Sequence, residues 1–249
     1  MDPKFAILAD IHANLEALNA VVEDARSQSV TDFYCLGDVV GYNANPQECI
    51  DIIRDICAKT VCGNHDFYCS HEKSLDDFQP HAAAVIDWTR RQLNDRSIKW
   101  LAELQLSYTS FPNSFTLVHG TLDMPELWGY VFDTFDAEAH FTYQQTAVCF
   151  HGHTHVPVIF EKSISDVNRY QAPESGTRVS MTFGHKYFIN VGSVGQPRDE
   201  IPMSSYLIFE PKTKTFEFRR VAYDIETAAE KVIKAGLPAR LSDRLKIGR

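Results

Sequence analysis

The stretch Phe5-Ala6-Ile7-Leu8-Ala9-Asp10-Ile11-His12-Ala13-Asn14 sets an unbroken apolar run directly against an aspartate and a histidine. An apolar run without polar alternation reads as a short strand buried on both faces. Asp10 stops it. Asn14 is placed to cap a helix, Glu16 gives that helix an acidic first turn, and Leu15, Leu18, Val21, Val22 and Ala25 recur at the helical period. The same pattern then repeats. Phe33-Tyr34-Cys35-Leu36 is a strand stopped by Gly37-Asp38, and Pro46 opens a helix through Ile50, Ile53 and Ile56. Thr60-Val61-Cys62 is a third strand, stopped by Gly63-Asn64. Strands separated by helices in this way imply a parallel sheet with helices packed on its faces.

Outward from this core, residues 75–105 carry a helical pattern. Leu106–Phe111 and Phe115–Val118 flank Pro112-Asn113-Ser114 as a hairpin would. Residues 121–146 are irregular and rich in aromatics, and Ala147–Phe150 is a further strand ending in His151-Gly152-His153-Thr154-His155. Beyond it, strands are expected at 156–161, 177–182, 186–191, 204–210 and 214–221, then a helix at 224–235 and a polar tail. Residues 162–176 have the Ser, Asn, Pro and Gly content of an exposed loop. No stretch has a linker's composition, so residues 1–249 are expected to form one domain.

Composition excludes several roles. The chain has 249 residues, 44% of them apolar, which suits a globular protein. A net charge of −9 argues against gripping duplex nucleic acid through its phosphates, and against attachment to anionic membranes. Arg90, Arg91, Arg96 and Lys99 read as a solvated helix face. There is neither a signal-peptide pattern nor an apolar run long enough to span a bilayer. Cys35, Cys49, Cys57, Cys62, Cys69 and Cys149 form no C-x-x-C pair. They read as buried thiols in a cytoplasmic protein, ahead of a structural zinc site.

The chemistry lies at the strand ends. Asp10 and His12, Asp38, Asn64 and His65, His119, and His153 and His155 each follow an apolar run. In open α/β sheets the carboxyl ends of strands line the ligand crevice. Packing these groups together without a cation would bury unpaired carboxylates and imidazoles at a cost of several kcal/mol each. A mixed oxygen–nitrogen donor set suits manganese, zinc or iron better than calcium or a thiolate-seeking metal. The donors outnumber the needs of one tetrahedral ion, and Asp38, between Gly37 and Gly41, can approach two. Two ions roughly 3.5–4 Å apart clamp a phosphoryl group and lower the pKa of a water between them, so that hydroxide exists near neutral pH. His65, beside a candidate ligand, is placed to supply a proton to the leaving oxygen. His71, His81, His140 and His185 read as surface or structural residues, and His151 as either a strand end or a support to the site.

Asp10-Ile11-His12, Gly37-Asp38-Val39-Val40-Gly41, Gly63-Asn64-His65-Asp66, His119-Gly120 and Gly152-His153-Thr154-His155 arrive in an order that resembles the calcineurin-like metallophosphoesterase superfamily, in particular its compact prokaryotic members. Asn190–Arg198 looks like that family's late strand and glycine-rich turn. The resemblance implies a four-layer α-β-β-α sandwich, with two mixed sheets flanked by helices. It implies that Asp10, His12 and His155 hold one metal, that Asn64, His119 and His153 hold the other, and that Asp38 bridges them. It further implies that His65 contacts the phosphate as general acid and that Asp66 orients His65. The cofactors would be two divalent ions among manganese, iron, zinc and nickel, with manganese favoured for activity.

Metal ligands say little about the substrate. Residues 121–146 could wall the entrance, with Trp128 or Tyr130 stacking on a base and with Tyr42 and Arg198 reaching phosphate oxygens. The expected activity is phosphodiester hydrolysis on small nucleotide-like substrates, with a phosphomonoester or a phosphorylated protein side chain as alternatives. A non-catalytic interaction module on the same fold is the rival reading; such modules generally have incomplete ligand sets, and this set is complete. A single-metal hydrolase of another fold would bind one ion per chain.

Overall fold

The computed structural model describes residues 2–71, 73–75 and 80–249, with the side chains of all of these except Pro80 and His81. The His81 side chain and the part of the expected helical stretch at 76–79 lie outside the described residues. The chain runs β1 (Phe5–Leu8), α1 (Leu15–Ser27), β2 (Asp32–Cys35), α2 (Pro46–Ile56), β3 (Cys57–Thr60) and α3 (Asn64–Ser70). It continues through α4 (Pro80–Gln92), α5 (Asp95–Ala102), β4 (Ser107–Ser110), β5 (Phe115–Val118), a 3₁₀ turn (Pro125–Leu127) and α6 (Thr134–Tyr143). Then come β6 (Val148–His151), β7 (Val158–Lys162), β8 (Val167–Gln171), β9 (Arg178–Ser180) and β10 (Lys186–Asn190). The last elements are β11 (Ser204–Glu210), β12 (Thr215–Val221), α7 (Ile225–Lys234) and α8 (Ala239–Ile247).

The strands form two mixed sheets, ordered β3-β2-β1-β11-β12-β9 and β4-β5-β6-β10-β7-β8. Phe5, Ile7, Tyr34 and Phe209 of the first sheet face Phe115, Phe150, Tyr187 and Ile189 of the second in a shared core. The outer face of the first sheet packs Ala6, Leu8, Phe33 and Cys35 against Leu18, Val21, Ile50 and Ile53 of α1 and α2. The outer face of the second packs Cys149, Phe160 and Phe188 against Ala137 and Phe141 of α6. Helix, sheet, sheet and helix thus make the four layers that the resemblance implied. β1, β2 and β3 are parallel, as are β5, β6 and β10, so the carboxyl ends of β1, β2, β3, β5 and β6 open on one rim. Burial on both faces explains why these strands read as continuous apolar runs.

The parallel sheet read from the amino-terminal half is completed by antiparallel strands from the far end of the chain, β11 beside β1 and then β12. Asn14 caps α1 by accepting from Ala17 N at 3.1 Å. The third strand starts earlier than expected, at Cys57, while Val61 makes only a bridge to Gln105. Within the expected loop 162–176, Val167–Gln171 pairs with β7 along its whole length. It is an edge strand with four exposed positions, so its sequence lacks the alternation of a half-buried strand. The expected polar tail contains α8, which buries Leu241, Ser242 and Leu245. Arg90 is no solvated cation: its guanidinium donates to the carbonyls of Tyr68 and His71, each at 2.7 Å. No helix among the described residues is long and apolar enough to cross a membrane.

Candidate metal centre

The loops at the strand ends are zipped together by their backbones. His12 N donates to Asp38 O and Ala13 N to Val39 O, both at 2.9 Å, which locks the turn after β1 to the turn after β2. The turn after β10 closes over both. Val194 N donates to Ala9 O and Gly195 N to Asp10 O at 2.9 Å, and Ser193 Oγ reaches Asp10 O at 2.8 Å. Gly195 is required there, because a Cβ would lie 1.8 Å from the Ile11 carbonyl oxygen. Gly41 has φ +95°, and a Cβ would lie 2.4 Å from His65 Nδ1. Its absence lets the His65 ring lie against the loop.

Each of the four expected histidine ligands gives one ring nitrogen to a backbone carbonyl. His12 Nδ1 donates to Val40 O at 3.0 Å, His119 Nδ1 to Leu36 O at 2.9 Å, His153 Nε2 to Trp128 O at 2.9 Å and His155 Nδ1 to Gln196 O at 2.6 Å. A carbonyl only accepts, so those nitrogens carry protons and the opposite nitrogens point their lone pairs inward. There, His12 Nε2 lies 3.1 Å from His155 Nε2, and His119 Nε2 lies 3.0 Å from His153 Nδ1. Lone pairs facing at that distance call for a cation. Two nitrogens bound to one ion at ~2.1 Å stand roughly 3.0–3.4 Å apart.

The oxygens complete the arrangement. Asp38 Oδ1 accepts from His65 N at 2.8 Å, while Oδ2 lies 3.6 Å from His12 Nε2 and 3.4 Å from His119 Nε2. Asp10 Oδ2 accepts from His153 N at 3.0 Å. Asp10 Oδ1 is 3.4 Å from His155 Nε2 and 3.9 Å from His12 Nε2, buried and without a hydrogen-bond partner. Asn64 Oδ1 lies 3.2 Å from His119 Nε2. Two donor groups result, Asp10–His12–His155 and Asp38–His119–His153, with donor atoms within 4.8 Å of one another in each. Asp38 Oδ2 lies between them. A third grouping, His12–Asp38–His65, overlaps both. The residues therefore fit a pair of divalent ions.

Electrostatics agree with this fit. Burial pushes the Asp10 carboxyl up to about 7. Burial would do the same to Asp38, but the positive charge favoured on His119 holds it well below the carboxylate range. Burial opposes charge on His119, yet Asp38 raises it to about 9. Burial depresses His12 and His155 far below the usual imidazole value and, with His119, holds His153 at about 3. Without a metal, Asp38 thus favours a proton on His119 Nε2, 3.4 Å away, at the position a metal would take.

The remaining expected residues divide. Asp66 does not orient the His65 ring, whose Nδ1 has no hydrogen-bond partner. Its carboxylate accepts from Gly63 N at 3.1 Å and from Val39 N at 2.9 Å, so it fixes the loop that carries Asp38. Tyr42 packs between His12 and His65, with ring centroids 4.4 and 4.5 Å away, and the Arg198 guanidinium lies 5.7 Å from the Tyr42 ring. Of the expected wall 121–146, only the first part borders the centre; α6 packs on the outer face of the second sheet. Tyr130 stacks on His153 at 4.1 Å and beside Phe132 at 5.5 Å, and half of its surface stays exposed. Phe132, 61% exposed, offers a further open ring beside it. Trp128 is half-buried beside Phe67 and His119, and contributes its carbonyl to His153. Sequence reading missed the supporting carbonyls of Leu36, Val40, Trp128 and Gln196, since a backbone oxygen leaves no residue-type signal. It also missed Asn190, which donates to Gly152 O at 2.5 Å and accepts from Gly192 N at 2.9 Å, joining two site loops. His151 ends β6 with its ring stacked on Phe188, on the far side of the sheet from the shared core.

Residues 4–214 match the family model of the calcineurin-like phosphoesterase superfamily domain. The chain is 39% identical over 246 residues to the uncharacterised protein MJ0912 of Methanocaldococcus jannaschii, covering 98% of each. It is similar throughout to the crystal structure of a metallophosphoesterase from Sphaerobacter thermophilus, at 38% identity and a TM-score of 0.90, covering 100% of both chains. It shares its fold with the hypothetical protein PH1004 of Pyrococcus horikoshii, at 17% identity and a TM-score of 0.78, over 99% of this chain and 98% of that one.

Proposed function

The chain belongs to the calcineurin-like phosphoesterase superfamily, and on that premise we propose that it hydrolyses small nucleotide-like phosphodiesters with two divalent transition-metal ions, manganese foremost. The observation that carries this reading is the pair of donor groups meeting at Asp38 Oδ2. Asp10, His12 and His155 would hold one ion, Asn64, His119 and His153 the other, and Asp38 both. When bound, such ions neutralise the phosphoryl oxygens and lower the pKa of the attacking water.

The chain's own residues do the rest. The four carbonyl-anchored histidines and the carboxylates of Asp38 and Asp10 are held before any substrate arrives, so little reorganisation is required. Burial lowers the His65 pKa and keeps its ring neutral. A phosphate anion against that ring reverses the balance, so substrate binding itself favours the proton that the leaving oxygen needs. Arg198, next to Tyr42, supplies a fork of donors for phosphate oxygens. The open face of Phe132 supports a flat, base-like group at the mouth. The net charge of −9 supports a small-molecule substrate over a nucleic-acid duplex, and the six free thiols suit a reducing cytoplasm.

The test is turnover of bis-para-nitrophenyl phosphate and para-nitrophenyl phosphate by manganese-loaded and EDTA-treated protein, with Asp38→Asn as blank. A metal-dependent diester rate that exceeds the monoester rate and vanishes in the variant is expected. A faster monoester rate would turn the assignment to a phosphomonoesterase, and no metal-dependent turnover of either substrate would overturn it.

A further inference from the structure

α8, which the sequence reading passed over, brings charge to the mouth of the centre. Its Leu241 is buried with Val85, Val232 and Leu237, and Tyr42 packs against this cluster. Tyr42 is the same ring that borders His12 and His65. Arg240 and Arg244 lie one helical turn apart and share a helix face to one side of Leu241, and Arg244 is within electrostatic reach of Arg198, Tyr42 and Arg240. Arg198 meets the Tyr42 ring as well, and its backbone N–H donates to His155 O at 3.3 Å, which ties it to a metal-site loop. Burial, then the charges of Arg198 and Arg240, hold Arg244 below the ordinary arginine range.

These cations lack what other arginines of the chain possess. Arg178, Arg219, Arg220 and Arg249 each hold a carboxylate. Among the described residues, Arg198, Arg240 and Arg244 enter no ion pair. Arg198 Nη2 reaches only the Gln196 amide oxygen, at 3.2 Å, and its Nε is buried without a partner. Arg244 Nε donates to the Arg249 carbonyl oxygen. Gathering unpaired cations beside one another is unfavourable through their mutual repulsion unless an anion binds them.

We propose that Arg198, Arg240 and Arg244 form a subsite for a phosphoryl group beyond the one held at the metal centre, so that the substrate carries at least one further phosphate, as a nucleoside polyphosphate does. The proposal deepens the phosphoesterase reading and rests on it for the position of the reacting phosphate. Arginine forks match phosphate oxygens in pairs, which a lysine point charge does not. The cationic edge borders the His12–His155 donor group, and the open Phe132 ring stands beyond Tyr130 on the His153 side. A nucleoside polyphosphate presents both an anionic chain and a flat base to such a mouth.

The experiment is titration of the manganese-loaded full chain with α,β-methylene-ADP, whose bridge resists hydrolysis, and with AMP, in excess manganese, followed by thermal shift. The wild type should bind α,β-methylene-ADP more tightly than AMP. In Arg244→Gln, and separately in Arg240→Gln, affinity for α,β-methylene-ADP should fall about tenfold or more, as loss of a charged hydrogen bond implies, with a smaller change for AMP. Equal losses for both ligands, no loss in either variant, or no preference in the wild type would overturn the subsite. Bis-para-nitrophenyl phosphate turnover on the same samples separates the two readings. Hydrolysis without the preference removes the subsite alone, and the preference without hydrolysis removes the phosphoesterase reading alone.

Discussion

Replacing Asp10 by asparagine should stabilise the EDTA-treated protein while abolishing its response to metal. Asp10 is fully buried, one oxygen accepts from His153 N, and the other has no partner but imidazole lone pairs nearby. An asparagine keeps the acceptor and turns an N–H toward His155 Nε2, 3.4 Å from the present oxygen. Burial raises the Asp10 pKa from 3.8 to about 7. At about 1.4 kcal/mol per pKa unit, the buried charge costs about 4 kcal/mol, of which asparagine should recover about 2–4 kcal/mol. The sign follows from linkage. The folded pKa lies above the unfolded one, so the cost is absent below pH 4, grows between about pH 4 and 7, and is constant above. The midpoint of Asp10→Asn in EDTA should therefore exceed that of wild type by roughly 5–15 °C at pH 8, and the gap should close toward pH 4. Manganese at a thousandfold excess over its dissociation constant should add about 4 kcal/mol to wild type and little to the variant, reversing their order. Circular dichroism melts at several pH values read all of this. A variant less stable than wild type in EDTA at pH 8, or a gap independent of pH, would refute the reasoning.

Gly195→Ala should force the turn after β10 away from Ile11, since the new Cβ would meet backbone at 1.8 Å. A loss of about 2–3 kcal/mol in urea unfolding, together with weaker manganese binding, is expected. Asp24 accepts from Arg219 Nη2 at 2.9 Å and from Tyr206 Oη at 2.6 Å, and these bonds outweigh burial and lower its pKa. Its contribution is thus present above about pH 4 and lost as pH falls through the depressed value; Asp24→Asn should cost about 1.5–3 kcal/mol at pH 7 and much less near pH 2, by urea unfolding at both. His119, raised to about 9 by Asp38, must lose its proton to bind metal through Nε2. Metal affinity should rise about tenfold per pH unit from 7 toward 9 and then flatten, with proton release at pH 7 measured by calorimetry in buffers of different ionisation enthalpy.

The strand ends were legible because each is an apolar run halted by a residue that has no reason to be apolar. Asp10, Asp38, Asn64, His119, His153 and His155 stand where such runs end, and the parallel strands bring them to one rim. What was illegible depended on partners distant in sequence. Asp66 follows His65 in the chain, so it read as that ring's support, yet its oxygens turn to Gly63, Val39 and Val40. β8 hides because an exposed edge strand needs no apolar face, and α8 because Leu241 and Leu245 are its only buried apolar residues. The stacking of Tyr130 on its near neighbour Phe132 and on the distant His153 was illegible too, since it appears only once the loop is folded.

The backbone gives an independent reason to tie this fold to its metals. Asp10 (φ 53°), His12 (φ 48°), Asp38 (φ 52°), His153 (φ 68°) and His155 (φ 62°) all adopt the left-handed conformation. For residues with a Cβ this costs about 1 kcal/mol or more each, although aspartate and histidine tolerate it better than branched residues. Strain of about 5 kcal/mol, added to the buried charge of Asp10, is comparable with the whole stability of many domains. The loop-to-loop hydrogen bonds from Asp10 N to Gly37 O, His12 N to Asp38 O and Gly195 N to Asp10 O offset part of it. They cannot relieve the converging lone pairs, which only a cation can. Stored strain at the donor residues and unmet electrostatic demand between them therefore have one common remedy, and bound metal should act as a folding ligand of this protein as well as a reagent in its chemistry.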